Sequence, residues 1–94
     1  MAKIEFDQSK NERNVRERGL PFARAADFDW ADAVVTADVR REYGERRLVA
    51  TGFLDGRLHV LCFRRIPQGI RVISLRKANK REVLEHEQAQ AADE

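Results

Sequence analysis

The sequence is poor in the residues that carry metal, redox and cofactor chemistry. Its one cysteine, Cys62, rules out an intrachain disulfide framework and fits a reducing compartment. Two histidines, His59 and His86, with no cluster of Cys, His and carboxylates at ligand spacing, leave no expected metal site. The five glycines form no phosphate-cradling loop, so no nucleotide cofactor is expected either. Aromatic residues make up only 7% of the chain, too few for an extended base-stacking platform. No apolar run approaches the roughly 20 residues of a membrane-spanning helix, and no apolar stretch follows the N-terminal lysine as a secretory signal requires. The expectation is a cytoplasmic, cofactor-free protein. Its 94 residues are read as one domain, with fraying from about residue 88.

What the chain has in abundance is charge, and it is unevenly placed. Between Glu45 and Arg81 ten Lys and Arg residues face two acids, Glu45 and Asp55. The 44 residues before this stretch are nearly neutral, and the residues from Glu82 onward carry five acids and no base. A formal charge of +2 therefore hides a strongly cationic middle, the electrostatic footprint of a polyanionic partner.

Local patterns predict an α+β fold. Ile4-Glu5-Phe6 alternates as a short strand. Asp7 caps a helix to about Arg18, and Gly19 ends it because glycine tolerates the left-handed conformation. This helix is unusually polar: Asn11, Asn14 and Arg18 share one face, which must pack through hydrogen bonds or meet a partner. Pro21 is expected to open a second helix, with Phe22, Ala25, Ala26 and Phe28 or Trp30 as its apolar stripe. Ala33–Thr36 is a candidate extended piece, and 38–44 reads as a loop. Leu48–Leu54 and Leu58–Phe63 flank Asp55-Gly56, a favoured hairpin turn because both residues accept positive φ. Pro67-Gln68-Gly69 makes the next turn, and Ile70–Leu75 completes a three-stranded antiparallel meander. Asn79-Lys80-Arg81-Glu82 is a capping-box variant opening a last helix. The predicted order is a short N-terminal strand, two helices, the meander and a C-terminal helix.

The most specific segment is Arg71-Val72-Ile73-Ser74-Leu75-Arg76-Lys77-Ala78 with Arg81-Glu82. Two further groups precede it: Asp7, Lys10, Asn11, Asn14, Gly19 and Phe22 at the front, and Tyr43-Gly44-Glu45-Arg46-Arg47 with Gly52 in the middle. In order and spacing these three groups resemble the BrnT toxins of type II toxin–antitoxin systems, over nearly the whole chain. The resemblance implies a RelE-like fold and a ribonuclease activity that stops translation. It also implies an antitoxin with a ribbon-helix-helix DNA-binding part, so that operator DNA is met only through the antitoxin complex. Three positions depart from the family pattern. Arg18 stands where a His often precedes Gly19, Ile66 near a frequent Arg, and His86 where many members have Tyr.

Metal-free RNA cleavage must deprotonate the 2′-hydroxyl, stabilise the charged phosphorane and protonate the leaving 5′-oxygen. Arginine suits the second task, because its planar fork stays charged and pairs bidentately with phosphate. The candidate catalytic residues are Arg76, Arg71, Glu45 and His86, the last because imidazole suits proton transfer near neutral pH. Arg46, Arg47, Arg64, Arg65 and Lys77 are the candidate RNA-binding residues. Arg71 and Arg76 differ by an odd number and fall on opposite faces of a regular strand, so they share a site only if the strand ends or bulges between them. The competing reading pairs one of them with Glu45 or Glu82 for structure. His59, between apolar neighbours, reads as a satisfied sheet histidine, and Cys62 as a buried small hydrophobe. A non-catalytic nucleic-acid-binding module and an antitoxin-binding module remain the alternatives to a nuclease.

Overall fold

The computed structural model describes residues 2–39, 42 and 44–92. Tyr43, one of the residues carrying the family resemblance, lies outside them. The elements are β1 (Lys3–Phe6), α1 (Gln8–Arg18), a 3₁₀ helix (Phe22–Asp27), β2 (Val34–Ala37), β3 (Leu48–Leu54), β4 (Arg57–Ile66), β5 (Gly69–Lys77) and α2 (Lys80–Ala92).

The predicted hairpin, third strand and capped last helix are all present. Asp55 and Gly56 both take positive φ, 54° and 75°, as a tight turn between twisted strands requires. The sheet itself is larger than the expected three-stranded meander. It has five strands in the order β1-β5-β4-β3-β2, with β1 parallel to β5 and the other pairs antiparallel. The two added strands have four residues each and join the sheet through long-range pairing, with no hairpin turn to announce them. The expected second helix is a six-residue 3₁₀ helix. Pro21 stands outside it with extended ψ (141°), and the Phe22 N–H is taken by Asn11 Oδ1 at 2.8 Å.

One face of the sheet packs against α1 and the 3₁₀ helix. Its core joins Phe22, Ala25, Phe28, Leu48, Ala50, Leu54, Leu61, Phe63, Val72 and Leu75. Full burial of such a side chain is worth about 1.5–3 kcal/mol. Gly52 keeps this face open for Phe28, since a Cβ there would stand 2.8 Å from the ring carbon Cζ. Trp30 stacks edge-on between Phe28 and Phe63, with centroids 4.9 and 5.3 Å away, so its role is structural. The other face carries a smaller cluster of Leu58, Val60 and Ala78 with Val49 and Val83, roofed by α2. No helix among the described residues is long and apolar enough to cross a membrane.

The polar face of α1 packs through hydrogen bonds. Asn14 is buried and donates from Nδ2 to the carbonyls of Leu20 (2.7 Å) and Leu75 (3.0 Å), while its Oδ1 accepts from Arg18 (2.8 Å). β1 ends opposite Val72, and Asn14 satisfies the β5 carbonyl that lies beyond it. Asn14→Ala leaves that buried carbonyl without a partner and is expected to cost about 1–3 kcal/mol. Urea unfolding tests this, and a loss below about 0.5 kcal/mol, the size of an ordinary surface change, would contradict it.

Candidate functional site

The position of every charged side chain on β5 depends on one irregularity. Cys62 lies opposite Ser74 but Phe63 lies opposite Val72, so Ile73 is an extra residue in β5. A bulge of this kind inverts the alternation of side chains. Val72 and Leu75, an odd number apart, therefore both enter the same core. Arg71 and Arg76 consequently share the face that carries α2, as the sequence allowed only for an interrupted strand. Lys77 goes to the opposite face, paired in register with His59.

At the hairpin end of the sheet a cleft of about 560 Å³ is lined by Arg18, Leu20, Arg24, Leu54, Asp55, Arg57, His59, Arg76 and Lys77, with Gly19. It is strongly basic. Arg24 is neutralised by Asp27 and Asp55, at 3.0 and 2.7 Å, and ties the 3₁₀ helix to the hairpin turn. Arg18, Arg57 and Lys77 form no ion pair among the described residues. His59 is only 4% exposed. Its Nδ1 stands 2.7 Å from the Arg57 carbonyl. A carbonyl only accepts, so Nδ1 carries the hydrogen and Nε2 of the neutral ring is a bare acceptor. Among the described residues every fully buried side-chain nitrogen or oxygen has a partner. Nε2 has none, so it opens to solvent.

Arg76 stands at the rim of this cleft with its fork engaged. It donates to both oxygens of Glu82, at 2.7 and 2.9 Å. This is the Arg76–Glu82 pairing that the sequence left open as a structural reading: the Lys77-Ala78-Asn79 turn folds Glu82 back over the end of β5. The same carboxylate accepts the Asn79 N–H at 2.9 Å, and Asn79 Oδ1 accepts the Glu82 N–H at 2.8 Å, completing the capping box. The Arg76 hydrogen bonds, aided by the Asn79 N–H and by the Arg76 and Arg81 charges and opposed by burial, lower the Glu82 pKa to about 2.

A second basic cluster lies at the other end of the sheet, on the α2 face. Glu5, Arg71 and Arg64 fall in one cross-strand row. Arg71 pairs with Glu5 at 3.4 Å. Glu45 bridges Arg47 at 3.1 Å and Arg64 at 3.3 Å. Glu45, a catalytic candidate from the sequence, is thus paired with two of its neighbouring cations. Arg46 is exposed beside Glu42 and Glu45. Arg65 points to the opposite face, into a separate groove with Trp30 and Ile70. His86 is not brought to either cluster: it stacks edge-on against Phe53, centroids 5.7 Å apart, and lines a groove with Asp32, Glu87 and Gln90. Cys62 is buried, its Sγ 3.6 Å from Asp38 Oδ2.

Sequence reasoning did not gather His59, Arg57 and Arg18. The signal for them lay in register: the Asp55-Gly56 turn places His59 at the sheet end, and the bulge slides Lys77 opposite it. Among the described residues no three His, Cys, Asp or Glu side chains come together as metal ligands.

The Glu82 carboxylate gives a pH dependence with a definite sign. Its folded pKa lies below the ordinary carboxyl value of 4.5, so its stabilisation is complete above about 4.5 and is lost as pH falls towards about 2. Glu82→Gln should lower stability at pH 7 by roughly 1 kcal/mol, the scale of a partly solvated pair, with the difference shrinking below pH 4. Urea unfolding at several pH values checks this, and a difference independent of pH would contradict it.

No curated protein matches this chain closely enough to be informative. A family model does: residues 6–82 match the one described as the ribonuclease toxin BrnT of type II toxin–antitoxin systems. That span takes in α1 with its buried asparagine, the whole β3–β4–β5 meander, both basic clusters and the capping box. The chain belongs to the BrnT family, the ribonuclease toxins of type II toxin–antitoxin systems, and acts opposite an antitoxin.

Proposed function

We propose that the protein is a metal-independent endoribonuclease that stops translation in the cytoplasm, and that it cleaves RNA at the basic cleft beside Arg76. The observation that carries this reading is the cleft's set of cations. Arg18, Arg57 and Lys77 line it with no acidic partner among the described residues, and Arg76, which also lines it, is held by Glu82. A preorganised donor costs no rearrangement when charge develops on the phosphorane, which is why a held guanidinium is worth more than a mobile one. The 2′-hydroxyl attacks the adjacent phosphorus, so the products are a 2′,3′-cyclic phosphate and a 5′-hydroxyl. Arg46, Arg47, Arg64 and Arg71 hold the RNA backbone outside the cleft, with Glu45 bridging Arg47 and Arg64 and holding them in place. Arg71, Glu45 and His86, singled out from the sequence as catalytic, are thereby assigned binding and structural roles.

The antitoxin, of the ribbon-helix-helix type on family grounds, covers the cationic middle of the chain and meets operator DNA on its behalf. An acidic or RNA-like surface relieves the repulsion among these arginines. Association should slow as salt rises, because steering between exposed charges is screened over about 8–10 Å at physiological ionic strength.

Two measurements test the nuclease reading. Cleavage of RNA by the purified chain should persist in excess EDTA and leave cyclic or 3′-phosphate ends. Loss on chelation with rescue by magnesium would reject the mechanism. Arg76→Ala should cut the single-turnover rate by roughly 10²–10³-fold, and Arg76→Lys should restore only part of it, since lysine keeps the charge but loses the fork. A folded Arg76→Ala protein that cleaves at the parental rate would move the catalytic centre to the Arg64–Arg71 row. Retained RNA binding without turnover in the unaltered protein would favour a binding module.

A further inference from the structure

We propose that His59 is a catalytic residue, its Nε2 taking the proton from the 2′-hydroxyl of the RNA nucleotide held in the cleft. The inference rests on the reading of this cleft as the site of metal-independent RNA cleavage, and it supplies the proton acceptor which that reading lacks.

Three observations converge on it. The Nδ1–H of His59 is committed to the Arg57 carbonyl at 2.7 Å, which fixes both the tautomer and the ring orientation. Nε2 is then the only basic atom of the ring, and among the described residues it has no hydrogen-bond partner although the residue is buried. It opens into a cleft that also carries Arg18, Arg57 and Lys77. A carbonyl behind an imidazole and phosphate-seeking cations in front of it make a general base with an anion seat at its front. The charged groups facing His59 are Arg18 from α1, Arg24 from the 3₁₀ helix, Asp55 from the hairpin turn, Arg57 from β4, and Arg76 and Lys77 from β5. Asp55 is engaged by Arg24, at 2.8 and 2.7 Å, and does not compete for the ring.

The step balances without a co-reactant other than water. Nε2 accepts the 2′-proton as the 2′-oxygen bonds to phosphorus. The bond from phosphorus to the 5′-oxygen breaks, and its electron pair takes a proton from water. The resulting hydroxide takes the imidazolium proton and restores His59. Arg57, two residues before His59 on β4, and Lys77, opposite it on β5, meet the non-bridging oxygens. His86, packed on Phe53 at a different groove, takes no part.

The test uses the full chain and a short fluorescent oligoribonucleotide that the unaltered protein cleaves. His59→Asn keeps an amide N–H for the Arg57 carbonyl and removes the atom at Nε2. It should melt close to the parent and bind the same oligonucleotide carrying 2′-deoxyribose at the cleaved position with unchanged Kd. Its single-turnover rate should fall by about 10²–10⁴-fold, and the acid limb of the pH–rate profile should vanish with it. His59→Asn cleaving within threefold of the parent, with the same pH profile, would overturn the inference and leave the nuclease reading standing. Should that variant fail to fold, the unaltered protein decides: with ¹⁵N-labelled histidine, the His59 Nε2 signal should move when the 2′-deoxy oligonucleotide binds. An unmoved signal overturns the inference. An unaltered protein that binds RNA but cleaves none overturns the nuclease reading and this inference together.

Discussion

The bulge at Ile73 sets what each face of the sheet carries. Without it, the register that pairs Phe63 with Val72 would continue and set His59 opposite Arg76. Leu75 would turn away from the core that holds Val72. With it, both apolar residues stay in the core, Lys77 comes to His59, and Arg76 turns to the face where α2 begins. A strand bearing Arg71, Arg76 and Lys77 within seven residues would otherwise place cations wherever its parity dictated. The bulge sorts them into a cleft, a helix anchor and a sheet-face row.

Arg76 and Glu82 hold the two halves of this arrangement together. Glu82 does three things with one carboxylate: it caps α2 through Asn79, locks the Arg76 fork and places the start of the helix against β5. α2 has no buried residue of its own and rests on the sheet through half-buried positions such as Val83 and His86. Its attachment therefore depends on this polar joint more than on apolar burial. Arg76 also lines the cleft, so stability and the proposed chemistry draw on one residue. On the other side of the sheet Asn14 plays the corresponding part, binding the loop after α1 to the β5 edge.

Much of this was legible in the sequence because it is local. Asp7, Gly19, the Asp55-Gly56 turn and the Asn79–Glu82 box each act within a few residues, and each stands where the chain predicts. The polar face of α1 was also readable as a hydrogen-bonding surface, since Asn11, Asn14 and Arg18 share it. What stayed hidden was long-range. β1 and β2 are too short and too far from their partners for pattern to place them in the sheet, and the Ile73 bulge leaves no mark in residue type. His59 shows the consequence. Its apolar neighbours rightly place it in a buried strand, yet burial of the ring says nothing about which nitrogen is occupied. Only the register and the Arg57 carbonyl reveal that Nε2 is the open one. His86, chosen for its imidazole alone, lies against Phe53 away from both clusters.

Two basic clusters at opposite ends and on opposite faces of the sheet cannot grip the same phosphate. In the cleft Arg18, Arg57 and Lys77 form no ion pair among the described residues and His59 offers Nε2, whereas each arginine of the Arg47–Arg64–Arg71 group has an acidic neighbour. On the proposed reading, that contrast gives chemistry to the first and holding to the second. The most direct test is a crystal structure of the chain with an RNA made uncleavable by 2′-deoxyribose at the cleaved nucleotide. The account predicts the scissile phosphate in the cleft, within hydrogen-bond reach of Arg57 or Lys77 and with the 2′-carbon facing His59 Nε2. A scissile phosphate seated on Arg64 and Arg71 would contradict it.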